Sequence, residues 1–321
     1  MRLIVSGAAG FIGSHLVDAA LAAGHDVVGI DAFVPYYPRA VKQANLAGAA
    51  EHPRFELVES DLRTDELEPI LDRADAVVHF AAMPGLPRSW TDFELYTSCN
   101  VIATERLLEA LRRVGRTRLV HISTSSVYGE LGVGDESLPT IPTSPYGVTK
   151  LAGEHLVRAF AATFGLDAVI LRYFSIYGPR QRPDMAYHRF AEALLAGEGI
   201  TVYGDGRSSR TSTFVDDAVG ATLAAVERAE AGSLYNIGGG EPITVLQAIG
   251  VIADELGVEP RIAFEPPRPG DQRHTAADVS RAGRELGWEP SIGPREGLRR
   301  QVAWHRDRQR VGSPAVPGRT V

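Results

Sequence analysis

Six short apolar stretches separated by helical patterns fill the first 170 residues, and nothing else in the sequence constrains the fold as strongly. Residues 3–5, 26–31, 55–58, 76–80, 118–123 and 168–172 read as buried strands. The apolar spacing between them predicts helices over 11–23, 100–113 and 146–164, with Gly24 stopping the first. Continuous apolar strands alternating with helices of 10–15 residues indicate a parallel sheet covered on both faces, the doubly wound α/β arrangement. After residue 175 the rhythm breaks: Pro179, Pro183, Gly204 and Gly206 punctuate short elements, and Pro260, Pro266, Pro267, Pro269 and Pro290 follow. The expected organisation is a doubly wound α/β domain over 1–175, with later segments returning to it. A smaller C-terminal domain over 176–311 and a flexible tail over 312–321 complete it.

Composition narrows the function without naming it. A net charge of −7 argues against nucleic acid as a partner, so an anionic ligand must be held by a few placed arginines. No apolar run reaches the roughly 18 residues that a membrane span needs. Residues 1–5 lead directly into glycines with no cleavable hydrophobic segment, so a cytoplasmic location is expected. The single cysteine, Cys99, excludes an internal disulfide and most cysteine–metal sites. The histidines, His79 and His121 among them, show no metal-ligand spacing, and no metal is expected.

Gly7, Gly10 and Gly13, with Phe11 and Ile12 between the last two, follow the first strand and open the first helix. Gly7 permits the tight turn and Gly10 lets the backbone approach a pyrophosphate. Gly13 lets helix and sheet pack closely, and the helix N-terminus offers N–H donors. Asp31 ends the second strand, where a carboxylate accepts bonds from both adenosine ribose hydroxyls and repels a 2′-phosphate. NAD, not NADP, is therefore the expected cofactor.

Tyr146 and Lys150 stand four apart on a predicted helix and so share a face. An ammonium beside a phenol favours the phenolate. Such a tyrosine can take a proton from an alcohol while a nicotinamide takes the hydride. The strand before it ends in Ser123, Thr124, Ser125 and Ser126, whose hydroxyls can bond a substrate oxygen. Tyr146, Lys150 and Thr124 are the catalytic candidates.

These motifs together, GAAGFIGSHL (7–16), Asp31, HFAA (79–82), STSSVYG (123–129), YGVTK (146–150) and RYFSIYG (172–178), resemble the extended short-chain dehydrogenase/reductases. Within them the chain is similar to the nucleotide-sugar epimerases and dehydratases, over residues 1 to about 305. The resemblance implies a Rossmann-type domain with bound NAD, a small C-terminal domain for a nucleoside diphosphate sugar, and a homodimer formed through the helices near 100–113 and 147–164. By position it adds Asp61 and Leu62 at the adenine, and Ala81 and Ala82 along the cofactor. It also adds Asn100, at the start of a helix that buttresses the site.

Family members that dehydrate carry an Asp-Glu pair where this chain has Ser125 and Ser126, so the resemblance points to epimerisation through a 4-keto sugar. Hexose epimerases usually carry Asn at the position of Ser175. A hydroxyl there, with Arg182 downstream, is similar to the UDP-glucuronate 4-epimerases, in which Ser125, Ser126 and Ser175 would hold the C6 carboxylate. Tyr203 is placed to stack on uracil, and Arg210, Arg268 and Asp271 resemble the uridine and diphosphate segments. The neighbours of Arg210, Thr211 and Ser212, depart from the family's usual Arg-Asp-Phe. Epimerases of UDP-glucose or UDP-N-acetylglucosamine, UDP-glucuronate decarboxylases and, more remotely, a non-catalytic NAD-binding regulator are the alternatives.

Overall fold

The structure, a computed structural model, describes residues 1–130, 132–267 and 274–310. Seven strands form its main sheet: β1 (Arg2–Ser6), β2 (Asp26–Ile30), β3 (Phe55–Val58), β4 (Ala76–His79), β5 (Arg118–Thr124), β6 (Ala168–Tyr173) and β7 (Leu234–Ile237). All neighbours are parallel, in the order β7-β6-β5-β4-β1-β2-β3. Every residue of β4, β6 and β7 is buried, which is why the first two read as buried apolar runs rather than alternating ones. β7 was not expected from the sequence; four residues without a flanking pattern carry too little signal.

Helices cover both faces. On one face α1 (Phe11–Ala22) packs with the helix Val215–Arg228, whose Ala218, Ala221 and Ala225 are fully buried against the core that holds Leu16 and Val17. On the other face lie α2 (Ala103–Val114) and α3 (Pro145–Phe164), whose Leu107, Leu108 and Val157 join Ile4, Val77 and Leu119. Burying one such leucine contributes about 1.5–3 kcal/mol. Strand order reverses between β1 and β4, with Leu3 flanked by Val27 on one side and Ala76 on the other. A crevice opens beyond the C-terminal ends of strands at such a switch point, and there ligands bind.

Two local devices set up that crevice. The long helix α3 starts because the Ser144 hydroxyl accepts the Gly147 N–H at 3.1 Å and Pro145 occupies the first turn; Gly165, at φ +71°, ends it. Ahead of α2, the helical turn Phe93–Thr97 runs into a π-helical turn, Ser98–Ile102. Asn100 therefore sits inside a wide turn rather than starting a helix. Beyond residue 175, the helices α4 (Ala186–Leu195), α5 (Val215–Arg228), α6 (Val245–Leu256) and α7 (Pro294–Arg310) accompany small sheets. The largest of these joins residues 242–244, 209–211, 274–277 and 133–134, so chain crosses in both directions between the small sheets and the main one. The expected tail at 312–321 lies outside the described residues.

Candidate active site

A cleft of about 320 Å³ lies over the switch point, lined by the glycine turn, the ends of β2, β4, β5 and β6, and the first turns of α3. Gly7 has φ +74°, and a Cβ there would lie 2.8 Å from the Ala81 nitrogen. A Cβ on Gly13 would drive into the Gly7 carbonyl, so the close approach of α1 to the turn admits only glycine. The N-cap of α1, Gly10, supplies no side-chain cap, and its first turn holds no acid. The N–H donors of that turn are thus open to a phosphate. This cradle, a backbone surface that side chains would fill, fits a dinucleotide pyrophosphate, with Gly7, Gly10, Phe11, Ile12 and Gly13 lining the cleft.

Asp31 is buried at the far end, accepting the N–H of Ala9 at 3.1 Å and of Phe33 at 2.8 Å. Lys42 adds an ammonium 3.2 Å from Oδ1. Asp61, Leu62, Ala81 and Ala82 also line the cleft. Arg63 grips Asp61 at 2.6 Å, and that hydrogen-bonded guanidinium holds the carboxyl below its usual range. Lys42, Arg63, Tyr36, Tyr37, Met83 and Pro84 line the cleft too, and none was singled out in the sequence. Lys42 comes from a helix of only seven residues, Arg39–Asn45, and the others from irregular segments, with too little periodicity to betray which way they face.

Asn100 is buried outside the cleft lining, and its amide bridges two chain segments. Its oxygen accepts the Met83 N–H at 2.6 Å, while its nitrogen donates to the Met83 carbonyl at 3.1 Å and to Thr149 Oγ1 at 3.0 Å. It ties the 81–84 turn to α3.

Tyr146, Lys150 and Thr124 converge on the cleft together with Ser123 and Ser175. Burial raises the Tyr146 phenol above its ordinary value, and the Thr124 hydroxyl and the Arg182 guanidinium oppose that rise. Lys150, expected from its spacing to do so, is not among the opposing groups. Burial instead lowers Lys150 itself to about 8, against a smaller upward pull from Glu154.

Arg182 reaches the cleft from the segment after β6, held by two hydrogen bonds of 3.0 Å to Asp184, which also accepts from the Tyr36 hydroxyl at 3.2 Å. Ser125 and Ser126 are not brought to the cleft lining: they enter a short 3-10 turn, where the Ser126 N–H is 3.2 Å from Thr124 Oγ1. Tyr203 and Arg210, in the strands Ile200–Tyr203 and Ser209–Thr211, also lie outside that lining. Arg268 and Asp271 lie outside the described residues.

The histidines hold one surprise. His188 and Glu192, four apart on α4, meet His305 of α7 with potential ligand atoms all within 4.8 Å of one another, a spacing the sequence reading had denied to every histidine. The cluster is already hydrogen-bonded: His188 Nδ1 to the Gln181 carbonyl at 2.7 Å and His305 Nδ1 to Glu192 at 2.5 Å. Arg308 adds a positive charge 3.7 Å from that carboxylate.

A phosphate cradle at a helix N-terminus, an acid at the end of β2 and a Tyr/Lys pair over the switch point define a nicotinamide-dinucleotide enzyme of the Rossmann type. The chain belongs to the NAD-dependent epimerase/dehydratase family, whose model matches residues 3–238. It is similar to a crystal structure of UDP-glucuronic acid 4-epimerase from Bacillus cereus in complex with UDP-glucuronic acid and NAD. The TM-score is 0.92 and the identity 40%, covering 96% of this chain and 99% of that one. A Bacillus subtilis protein described as an uncharacterized UDP-glucose epimerase is 40% identical over 308 residues, 95% of this chain and 98% of its own length. The dTDP-glucose 4,6-dehydratase DesIV of Streptomyces venezuelae, solved with NAD, is similar at TM-score 0.90 and 34% identity, covering 97% of this chain and 98% of that one. The protein is thus an NAD-dependent nucleotide-sugar epimerase/dehydratase with the extended short-chain dehydrogenase/reductase fold. No helix among the described residues is long and apolar enough to cross a membrane.

Proposed function

We propose that the protein is a UDP-glucuronate 4-epimerase, interconverting UDP-glucuronate and UDP-galacturonate. The observation that carries this reading is the pairing, across one cleft, of Tyr146 and Thr124 with the Ser175 hydroxyl and the Arg182 guanidinium. A hydroxyl and a cation in the same cleft as the proposed catalytic phenol suit a sugar with a carboxylate. Likeness to the Bacillus cereus enzyme supports the same substrate.

In this reading Tyr146 takes the proton of the sugar 4-hydroxyl, with Thr124 hydrogen-bonded to the same oxygen and Lys150 placing positive charge nearby. Bound NAD supplies the redox chemistry, accepting the C4 hydride and giving it back. The 4-keto sugar turns over within the cleft, and Tyr146 returns the proton once the opposite face of C4 has been reduced. Gly7, Gly10, Gly13 and Asp31 hold the pyrophosphate and adenosine ribose. The 4-keto acid loses CO₂ when its carboxylate bond aligns with the carbonyl π system. Ser175, with Ser125 and Ser126 at the adjacent turn, would hold the carboxylate out of that alignment. Residues beyond 175 would bind the UDP, Tyr203, Arg210, Arg268 and Asp271 among them. Dimerisation would cover Ile102, Val148 and Phe164, large apolar side chains exposed just ahead of α2 and along α3.

Incubation with UDP-glucuronate, UDP-glucose and UDP-N-acetylglucosamine, without added cofactor, tests the reading. UDP-galacturonate is the expected product. A UDP-pentose with release of CO₂ would make the protein a decarboxylase, and turnover of neutral sugars alone would sink the carboxylate argument.

A further inference from the structure

One turn beyond Lys150 on the same face of α3 lies Glu154, 1% exposed. Its Oε1 accepts from Arg172 Nε at 2.9 Å and from Ser123 Oγ at 2.5 Å, and its Oε2 accepts from Arg172 Nη2 at 2.7 Å. Arg172 is also buried; its Nη1 donates to the Tyr128 hydroxyl at 2.8 Å, which donates to Asn236 Oδ1 at 2.7 Å. The Asn236 N–H in turn donates to Glu136 at 2.7 Å. The network therefore pins α3 to β5, β6 and β7 directly beneath the cleft, and Ser123 adjoins Thr124.

We propose that Glu154 is a positioning residue: its carboxylate, clamped by Arg172 and Ser123, is the fixed counter-charge that keeps Lys150 in the cleft as a cation. A buried ion pair adds little net stability and is often replaceable by apolar side chains without loss. What this pair does supply is a negative charge at a fixed place. The other titratable groups around Lys150 do not provide one. His79 on β4 and His121 on β5 are buried, and burial together with the Lys150 charge holds both imidazoles neutral, His79 at about 3. Both ring nitrogens of His121 are buried without a hydrogen-bond partner. Tyr146, on the helix itself, is a neutral phenol until it gives up its proton, and Arg172 on β6 is a cation. Burial draws Lys150 down to about 8, and Glu154 alone opposes it.

The test uses a peculiarity of composition: Lys42 and Lys150 are the chain's two lysines. Side-chain NMR of the ¹⁵N-lysine-labelled holoenzyme gives two ammonium signals, assigned with Lys42→Arg. Removing one half of a buried pair strands the other charge, so Glu154→Gln is paired with the double variant Glu154→Gln/Arg172→Met, which leaves neither. In the double variant the Lys150 midpoint should fall by about one pH unit or more, roughly a tenfold change in the protonation equilibrium. The alkaline limb of kcat/KM should move with it, while KM for the sugar stays close to its original value at neutral pH. In Arg172→Met, which keeps the carboxylate and removes its competing cation, the midpoint should rise. An unchanged Lys150 midpoint in the folded double variant overturns the proposal. Should neither Glu154 variant fold, Arg172→Met decides alone, and an unchanged or lower midpoint there overturns it. The kinetic arm rests on the proposed reaction, but the NMR arm does not. A shifted Lys150 in a protein that turns over no UDP-sugar would sink the reaction and leave the counter-charge standing.

Discussion

Lys42 Nζ lies 3.2 Å from Asp31 Oδ1, so the acid at the end of β2 already holds a cation beside it. In Asp31→Ser that cation loses its partner and the repulsion of a 2′-phosphate disappears together. NAD binding should weaken about 10–100-fold, the worth of one hydrogen bond to a charged group, and NADP binding should strengthen. Titrating both dinucleotides into the variant checks this. Unchanged discrimination between them would mean that Asp31 does not read the ribose.

Tyr146 is the one group in the cleft whose chemistry the proposed reaction cannot replace. Tyr146→Phe removes a hydroxyl and leaves the glycine cradle and Asp31 intact. Turnover should fall by about 10²–10⁴-fold, the usual contribution of a positioned acid–base group, while NAD affinity changes little. Steady-state rates and cofactor content of the same preparation measure the two separately.

Asn100→Ala tests the bridge between the 81–84 turn and α3. Both Met83 backbone groups would lose their partner inside the core, while the Thr149 hydroxyl would keep its bond to the Tyr146 carbonyl. Each buried polar group left unpaired costs about 1–3 kcal/mol, so the loss should total several kcal/mol. Urea unfolding should show a clearly lower midpoint. NAD affinity should drop as well, because Ala81 and Ala82 share the displaced turn.

The difference between Asn100 and Asp31 shows which parts of the site were legible in the sequence. Asp31, Gly7, Gly10 and Gly13 sit at fixed offsets in one strand–turn–helix unit, and the Ser144–Pro145 start places Tyr146 and Lys150 one turn into a helix. Local rules reach all of these. Asn100 acts through Met83, 17 residues away, and Thr149, 49 away, and the wide helical turn that orients it leaves no apolar period. Lys42, in a helix of only seven residues, and Arg63, in an irregular segment, come with too little periodicity to read. The fold class was legible because strands buried on both faces write themselves as apolar runs, whereas β7 is short and follows a long excursion through the C-terminal part. His188 and Glu192 were visible as an i, i+4 pair, but His305 joins them only through the packing of α7 on α4.

Lys150 also links stability to pH. Its folded value of about 8 lies below the ordinary 10.5 because burial disfavours the ammonium. Between those limits the unfolded chain binds more protons than the folded one, so this group makes stability rise with pH across roughly pH 8 to 10.5. Below pH 8 both states are protonated and the full cost of the buried charge, on the order of 3 kcal/mol, is present. Lys150→Met removes that cost and leaves Glu154 paired with Arg172. Cofactor-free Lys150→Met should therefore be more stable than the parent protein at pH 7, nearly equal to it at pH 10.5, and inactive at both. Chemical denaturation at the two pH values measures the difference. A variant that is less stable at pH 7, with the parent's slope between pH 8 and 10.5 retained, would mean that Lys150 carries no such burden in the folded protein.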